Sequence, residues 1–255
     1  MSFFAYIGRY FIDLVISTGS IAQLLFSSFL WIFRRPLRIS RIIEEFYKIG
    51  ATSTGIVILT SFFTGMVEAL ETYHGFSKFG ATSMIGYTVA ISFGREIAPV
   101  FTALMVVARS VSAMSAEIGS MKVTEQIDAL SVMGINPIGY LASPRLVAGF
   151  TMLPLLTILS NLAGNVGSYL ISVYSLGVSE GGYFENIRLF IDASDISYGL
   201  VKAAVFGVLI TIIGCYYGLV TTGGTQGVGR STTSAVVLAS VIVLVSDYFL
   251  TALMY

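Results

Sequence analysis

The stretch MIGYTVAISFGREIAPVFTALMVVA, residues 84–108, decides the fold. It is longer than the roughly 20 apolar residues a helix needs to cross a hydrocarbon core. Yet Arg95 and Glu96 stand side by side within it, and Pro99 follows. Arg95 lies about 16 Å past Met84 at a rise of 1.5 Å per residue, near the midplane. A charge there costs roughly 2.5–3.5 kcal/mol on insertion scales. Neighbours on a regular helix point about 100° apart, so the two charges are poorly placed to neutralise each other. Each needs another helix, water or a ligand. Pro99 also frees a backbone carbonyl near Arg95, because it lacks the N–H that would bond it.

The rest of the chain agrees with a membrane setting. Of its 255 residues 55% are hydrophobic and 11% charged, against about 25% charged in soluble domains. Helices are expected throughout, since lipid offers backbone groups no outside partner. The fold class is therefore an all-α integral membrane protein, a single transmembrane domain over 1–255. Five spans are expected at 47–73, 84–108, 146–176, 198–220 and 234–254. The third is over-long and carries Pro154, Asn161 and Asn165, so a tilt or kink is expected. Before them, Arg9, Asp13, Ser17, Ser20, Gln23 and Ser27 form one polar stripe. This favours an interfacial amphipathic helix over a sixth span, and a basic linker, RRPLRISR (Arg34–Arg41), completes region 1–46. No removable signal peptide is expected.

Lys and Arg counts set the orientation. Arg9, Arg34, Arg35, Arg38, Arg41 and Lys48 precede span one; Arg109, Lys122 and Arg145 follow span two; Arg230 follows span four. The opposite loops hold Lys78 and Arg188, with Lys202 near the start of span four. The N-terminus is expected in the cytosol and the C-terminus outside. One cysteine, Cys215, and one histidine, His74, leave no multi-cysteine or multi-histidine metal site.

Segment 109–145, between spans two and three, reads RSVSAMSAEIGSMKVTEQIDALSVMGINPIGYLASPR. A helix over Glu117–Met133 is expected, ended by Gly134 with Pro137 beyond it. Ile118, Met121, Ile127, Leu130 and Met133 are its apolar members; Lys122, Glu125 and Asp128 mark a charged side. Such a helix docks into a groove on a soluble partner or rests on the membrane surface, and both remain open. Within the membrane, Glu68 and Glu71 lie three apart on one helix face, where Arg95 could snorkel toward them. Glu68, Glu71, Arg95 and Glu96 are candidates for a polar substrate pathway, in which the Arg95 guanidinium could hold an anionic group through two hydrogen bonds. The competing reading is a buried ion pair that fixes helix packing. Asp247 is expected as a buried carboxylate capping a neighbouring helix. Ser160, Gly164, Ser168 and Ser172 recur every four residues and suggest a close-packed face; Gly214 and Gly218 are a weaker case. The glycine-rich TTGGTQGVGRSTT (Thr221–Thr233) reads as a flexible cytosolic turn. None of the four lysines completes GxxxxGK[ST], and no HExxH or GxSxG occurs. No catalytic residue or cofactor is expected in this chain.

The order of these motifs resembles the MlaE family of ABC-transporter permeases, which serve phospholipid trafficking. The family segments appear as Arg95-Glu96 with Pro99-Val100, Ala116–Gly119, Thr124–Gln126, Asn136-Pro137 and Ser143–Arg145; Asp247–Tyr255 resembles the family ending. The resemblance implies a homodimer in a bacterial inner membrane that maintains outer-membrane lipid asymmetry. A cytosolic ABC ATPase would hold the ATP and bind the Glu117–Met133 coupling helix through Glu117, Met121, Lys122, Glu125, Gln126, Asp128 and Leu130. A membrane-anchored MCE-domain protein would sit outside, and a STAS-domain protein could join the ATPase; no nucleic-acid partner is implied. The alternative from the residues alone is a secondary transporter or channel using the intramembrane Glu, Arg and Asp side chains.

Overall fold

The computed structural model describes residues 3–34 and 39–254, with side chains at Ile12 and from Val15 onward. The expected contributions of Arg9, Asp13, Arg35 and Arg38 lie outside the described side chains. Among the described residues the chain is helical, with no strand. The helices are α1 (Phe3–Ile32), α2 (Ile39–Phe46), α3 (Thr52–Phe76), α4 (Ile85–Ser92), α5 (Ala98–Val106), α6 (Ser112–Val123), α7 (Gln126–Val132), α8 (Ser143–Leu170), α9 (Glu180–Phe190), α10 (Ala193–Leu219) and α11 (Gly224–Met254). Wider π turns at Tyr47–Ala51, Phe93–Ile97, Val107–Val111, Ile138–Ala142 and Ile171–Ser175 link or extend several of them. Two of these turns end just ahead of Pro99 and Pro144. A proline ring clashes with the carbonyl four residues back and cannot bond it; a widened turn moves that carbonyl aside.

Six helical segments are long and apolar enough to cross a membrane: Val15–Ile32, Ile39–Phe79, Thr82–Val123, Ile138–Ser175, Ala193–Leu219 and Gly224–Met254. So α1 meets the length and composition of a sixth span. It packs beside the start of α8: Trp31 lies against Gly139, and the Ser143 hydroxyl donates to the Ser28 carbonyl at 2.9 Å.

Four boundaries differ from the sequence reading. The span that holds Arg95 does not end near residue 108 but continues as α6 to Val123, because Met114, Ile118 and Gly119 bury against α10 and α11. The expected single helix Glu117–Met133 is two: Glu125 adopts a left-handed backbone, φ 60°, and breaks it. Helix α10 begins at Ala193, ahead of the expected 198, because Asp192 and Asp195 form a reciprocal capping box. The glycine-rich segment is a turn only to Gly223; from Gly224 it is helix, since Gly227, Ala235, Ala239 and Val243 are buried.

The spans are held by small residues. Helix α3 buries Ser53, Val57, Ser61, Gly65 and Ala69, one turn apart. Against them α8 sets Ser160 and Gly164; Ser61 and Ser160 share a hydrogen bond of 2.7 Å. A Cβ on Gly65 would overlap the Gly164 carbonyl, so only glycine permits this approach. Further along, Ser168 meets the Tyr183 hydroxyl of α9 at 3.1 Å. Burial raises the pKa of that phenol. Gly214 and Gly218 face Val111, Met114 and Ile118 of the α6 limb.

Candidate functional site

Two charge clusters stand at different levels of the bundle. The first gathers around the π turn Phe93–Ile97. Arg95 and Glu96 do not pair with each other. Arg95 pairs with Asp195, its Nε donating to Asp195 Oδ1 at 2.8 Å. Glu96 pairs with Lys202. Asp195 and Lys202 are seven residues apart and so share one face of α10. That face reaches the turn because Gly199, between them, sits directly on the Gly94 carbonyl, where any Cβ would collide. Lys202 is 1% exposed, so its place is not the loop end that the charge count assumed. Its Nζ also donates to Thr251 Oγ1 at 2.7 Å. It stands 3.1 Å from Asp247 Oδ1, close enough for an ion pair but outside hydrogen-bond geometry. Asp247 is thus an ion-pair partner rather than the expected helix cap. One buried ammonium serves two carboxylates and ties the π turn, α10 and α11 together.

Glu68 is half-buried and Glu71 exposed on α3, and neither forms an ion pair among the described residues. The structure does not bring them to Arg95. Sequence reasoning missed Asp195 as its partner. The available signal was the DASD capping box at the start of α10 and the seven-residue interval to Lys202.

The second cluster joins α2, α6 and α8. Arg145, 2% exposed, donates to Glu117 Oε2 at 2.7 Å and lies 3.3 Å from Glu45 Oε1. Lys48 reaches Glu117 at 3.1 Å and Glu44 at 3.0 Å. An open cleft of about 500 Å³ lies beside this cluster, lined by Glu45, Lys48, Arg109 and Glu117 among others. Glu117 was expected to face a partner; each of its carboxylate oxygens accepts a hydrogen bond within the chain, from Lys48 and Arg145, while the side chain stays 41% exposed. Glu45, Lys48 and Arg145 were not singled out as a site from the sequence.

The 109–145 motif residues tie this end together. Lys122 Nζ bonds Asp128 at 3.0 Å. Gln126 Nε2 donates to Thr124 Oγ1 at 3.0 Å. Gly134, φ 73°, closes α7: its N–H bonds the Ser131 carbonyl and the Ile135 N–H bonds that of Leu130, a Schellman cap. Asn136 Oδ1 accepts from the N–H of Ile138 and Gly139, so it caps the next helix behind Pro137. What projects is the tip. Ile127 is buried and Met121 and Leu130 half-buried, while Glu125, Gln126, Asp128, Val132 and Met133 are exposed. Among the described residues no group of His, Cys, Asp and Glu could hold a metal ion.

The family described as Permease MlaE matches residues 42–253. A probable ABC transporter permease protein of Rickettsia felis is 41% identical over 249 residues, covering 98% of this chain and 96% of its own. A probable ABC transporter permease protein of Synechocystis is 40% identical, covering 89% of this chain and 86% of its own. The chloroplastic protein TRIGALACTOSYLDIACYLGLYCEROL 1 of Arabidopsis thaliana is 37% identical over 84% of this chain and 61% of its own.

Proposed function

The chain belongs to the MlaE permease family, and from that premise we propose that it is the membrane subunit of an ABC transporter for phospholipids. The carrying observation is the 41% identity with an ABC transporter permease protein across 98% of the chain. The name of the Arabidopsis relative is that of a galactolipid, which supports a glycerolipid substrate.

In this reading the permease works as a homodimer in an inner membrane, with the α7 end in the cytosol. The exposed tip Glu125–Met133 docks into a groove on the ATPase, which binds and hydrolyses ATP. Movement of that tip passes into α6, which is continuous with the Arg95 span, so force at the cytosolic end travels along one rod. An MCE-domain protein receives or delivers the lipid on the far side, a STAS-domain protein sits on the ATPase, and the lipid exchange maintains outer-membrane asymmetry. Glu68 and Glu71 on α3, without an ion-pair partner among the described residues, are available to a polar path. Arg95 and Glu96 act first as the ionic frame of that path.

Replacing Glu125–Met133 by a glycine–serine linker tests the coupling role. The ATPase should no longer co-purify; its retention would sink the assignment. In vesicles, ATP-dependent movement of a fluorescent phospholipid is expected only with both proteins present. Flux by the purified chain alone, driven by an ion gradient, would instead make it a secondary transporter.

A further inference from the structure

A second cleft, of about 360 Å³, lies where α8, α9 and α10 meet beside Gly94 of the π turn. Its walls are mostly apolar, including Ile158, Leu162, Phe184 and Leu200, but α8 places three polar groups on it: Thr157, Asn161 and Asn165. Thr157 is 2% exposed, and its hydroxyl has no hydrogen-bond partner. The buried hydroxyls of Ser28, Thr102, Ser115 and Ser172 are also without a partner among the described residues, but of these five only Thr157 lines this cleft. Asn165 Nδ2 bonds Asn161 Oδ1 at 2.7 Å and its carbonyl at 2.9 Å. This leaves the Asn161 amide N–H and the Asn165 carbonyl oxygen without protein partners among the described residues. The two carboxamides are half-buried, but the Thr157 hydroxyl is enclosed, and a polar group unpaired in hydrocarbon costs several kcal/mol, so the cleft offers a ligand a hydrogen bond that the protein leaves unmade.

The lining also states the ligand's chemistry. No lysine or arginine lines the cleft, so a phosphate has no countercharge there. Two carboxamides and a hydroxyl suit an ester carbonyl or hydroxyl, and the isoleucines and Leu200 suit a hydrocarbon chain. The cleft's edge residues Ile158 and Leu162 are 39% and 60% exposed on a membrane-crossing helix, so it opens onto the bilayer. We propose that it binds one acyl chain of a membrane glycerolipid, with the ester carbonyl held by Asn161 and Thr157. The occupant lies against Gly94 and Ile196, the sequence neighbours of Arg95 and Asp195, so a lipid there buttresses that ion pair. This inference requires only that the chain sits in a bilayer; it stands or falls apart from transport or ATPase binding.

The test uses the full chain in nanodiscs of phosphatidylethanolamine and phosphatidylglycerol, doped with phosphatidylethanolamine bearing a diazirine on its acyl chain. After irradiation, labelled residues are mapped by mass spectrometry. Labelling of Ile158 and Leu200 should exceed that of Val241, an exposed residue on α11 outside the cleft, at least threefold. Asn161→Leu should lower the excess several-fold, and Leu200→Trp, which fills the cleft with the polar groups intact, should abolish it. Elution and melting like the parent's establish that each variant is folded, and Ile158→Trp replaces any that is not. Equal labelling at the cleft and at Val241, or an excess that survives the tryptophan, would overturn the proposal.

Discussion

At the scale of the residue, Lys202 carries the most consequence. It is the cation between Glu96 and Asp247 and is almost wholly buried. Removing one partner of a buried ion pair leaves the other charge uncompensated, which costs about 3–5 kcal/mol. Lys202→Met should therefore lower the melting temperature in detergent sharply. Adding Glu96→Gln should restore at least half of the loss, because a neutral amide no longer needs the ammonium. If the single variant melts like the parent, the network does not hold the helices. Arg145 makes the matching case at the other cluster. Arg145→Lys keeps the charge but loses the fork that serves Glu117 and the Leu141 carbonyl together. It should still lose about 1–3 kcal/mol in thermal unfolding, the scale of a buried group left unsatisfied. An unchanged melting curve would show that a point charge suffices there.

At the scale of the element, helix approach and helix breaks decide the shape. Gly65 lets α3 touch α8 through bare backbone. Gly65→Ala should destabilise by about 1–3 kcal/mol through overpacking. Gly75→Ala, on the same helix with open space around it, should be neutral or stabilising by up to about 1 kcal/mol. Thermal melts of the two variants provide the comparison, and equal effects would refute the close-approach argument. The break between α6 and α7 rests on Glu125, a non-glycine residue in the left-handed region. Glu125→Gly should stabilise by about 1 kcal/mol, the penalty a side chain pays there, while leaving the α7 tip where it is. A straightened α6–α7 helix, seen as slower hydrogen exchange across Thr124–Gln126, would contradict this. The heptad of α10 from Asp195 to Lys202 is the element that converts two isolated charges in one span into two ion pairs between spans.

At the scale of the whole molecule, two ends do different work: a tip of exposed side chains at Glu125–Met133, and the α9 end closed over α8. In a Cys215→Ala background, Met133→Cys should react with a membrane-impermeant maleimide only from the cytosolic face, and Glu180→Cys only from the opposite face. Reaction of both from one side would overturn the proposed orientation. Much of this was legible beforehand. Hydropathy alone specifies that the chain folds as membrane-length helices, since lipid leaves the backbone no alternative, although it favoured an interfacial α1, which has the length and composition of a sixth span. Gly134 announces the end of α7, and Arg95 and Glu96 announce charges that must seek partners elsewhere, because neighbours on a helix diverge. The identity of those partners was not legible. Asp195 lies 100 residues and Lys202 lies 106 residues along the chain from the groups they meet, and nothing local in the sequence joins them. The helix over the glycine-rich Gly224–Thr233 was equally hidden: intrinsic propensity opposes it, and it forms as the first turns of the long helix whose Ala235, Ala239 and Val243 are buried. Likewise Glu117 reads locally as a polar face, and only the fold brings Arg145 and Lys48 to it. The sequence by itself determined the solvent, the helices and the charges that hydrocarbon will not tolerate alone. Only the tertiary structure decided which charge meets which, because pairing inside a membrane depends on how closely helices approach, and here bare glycine and serine faces set that distance.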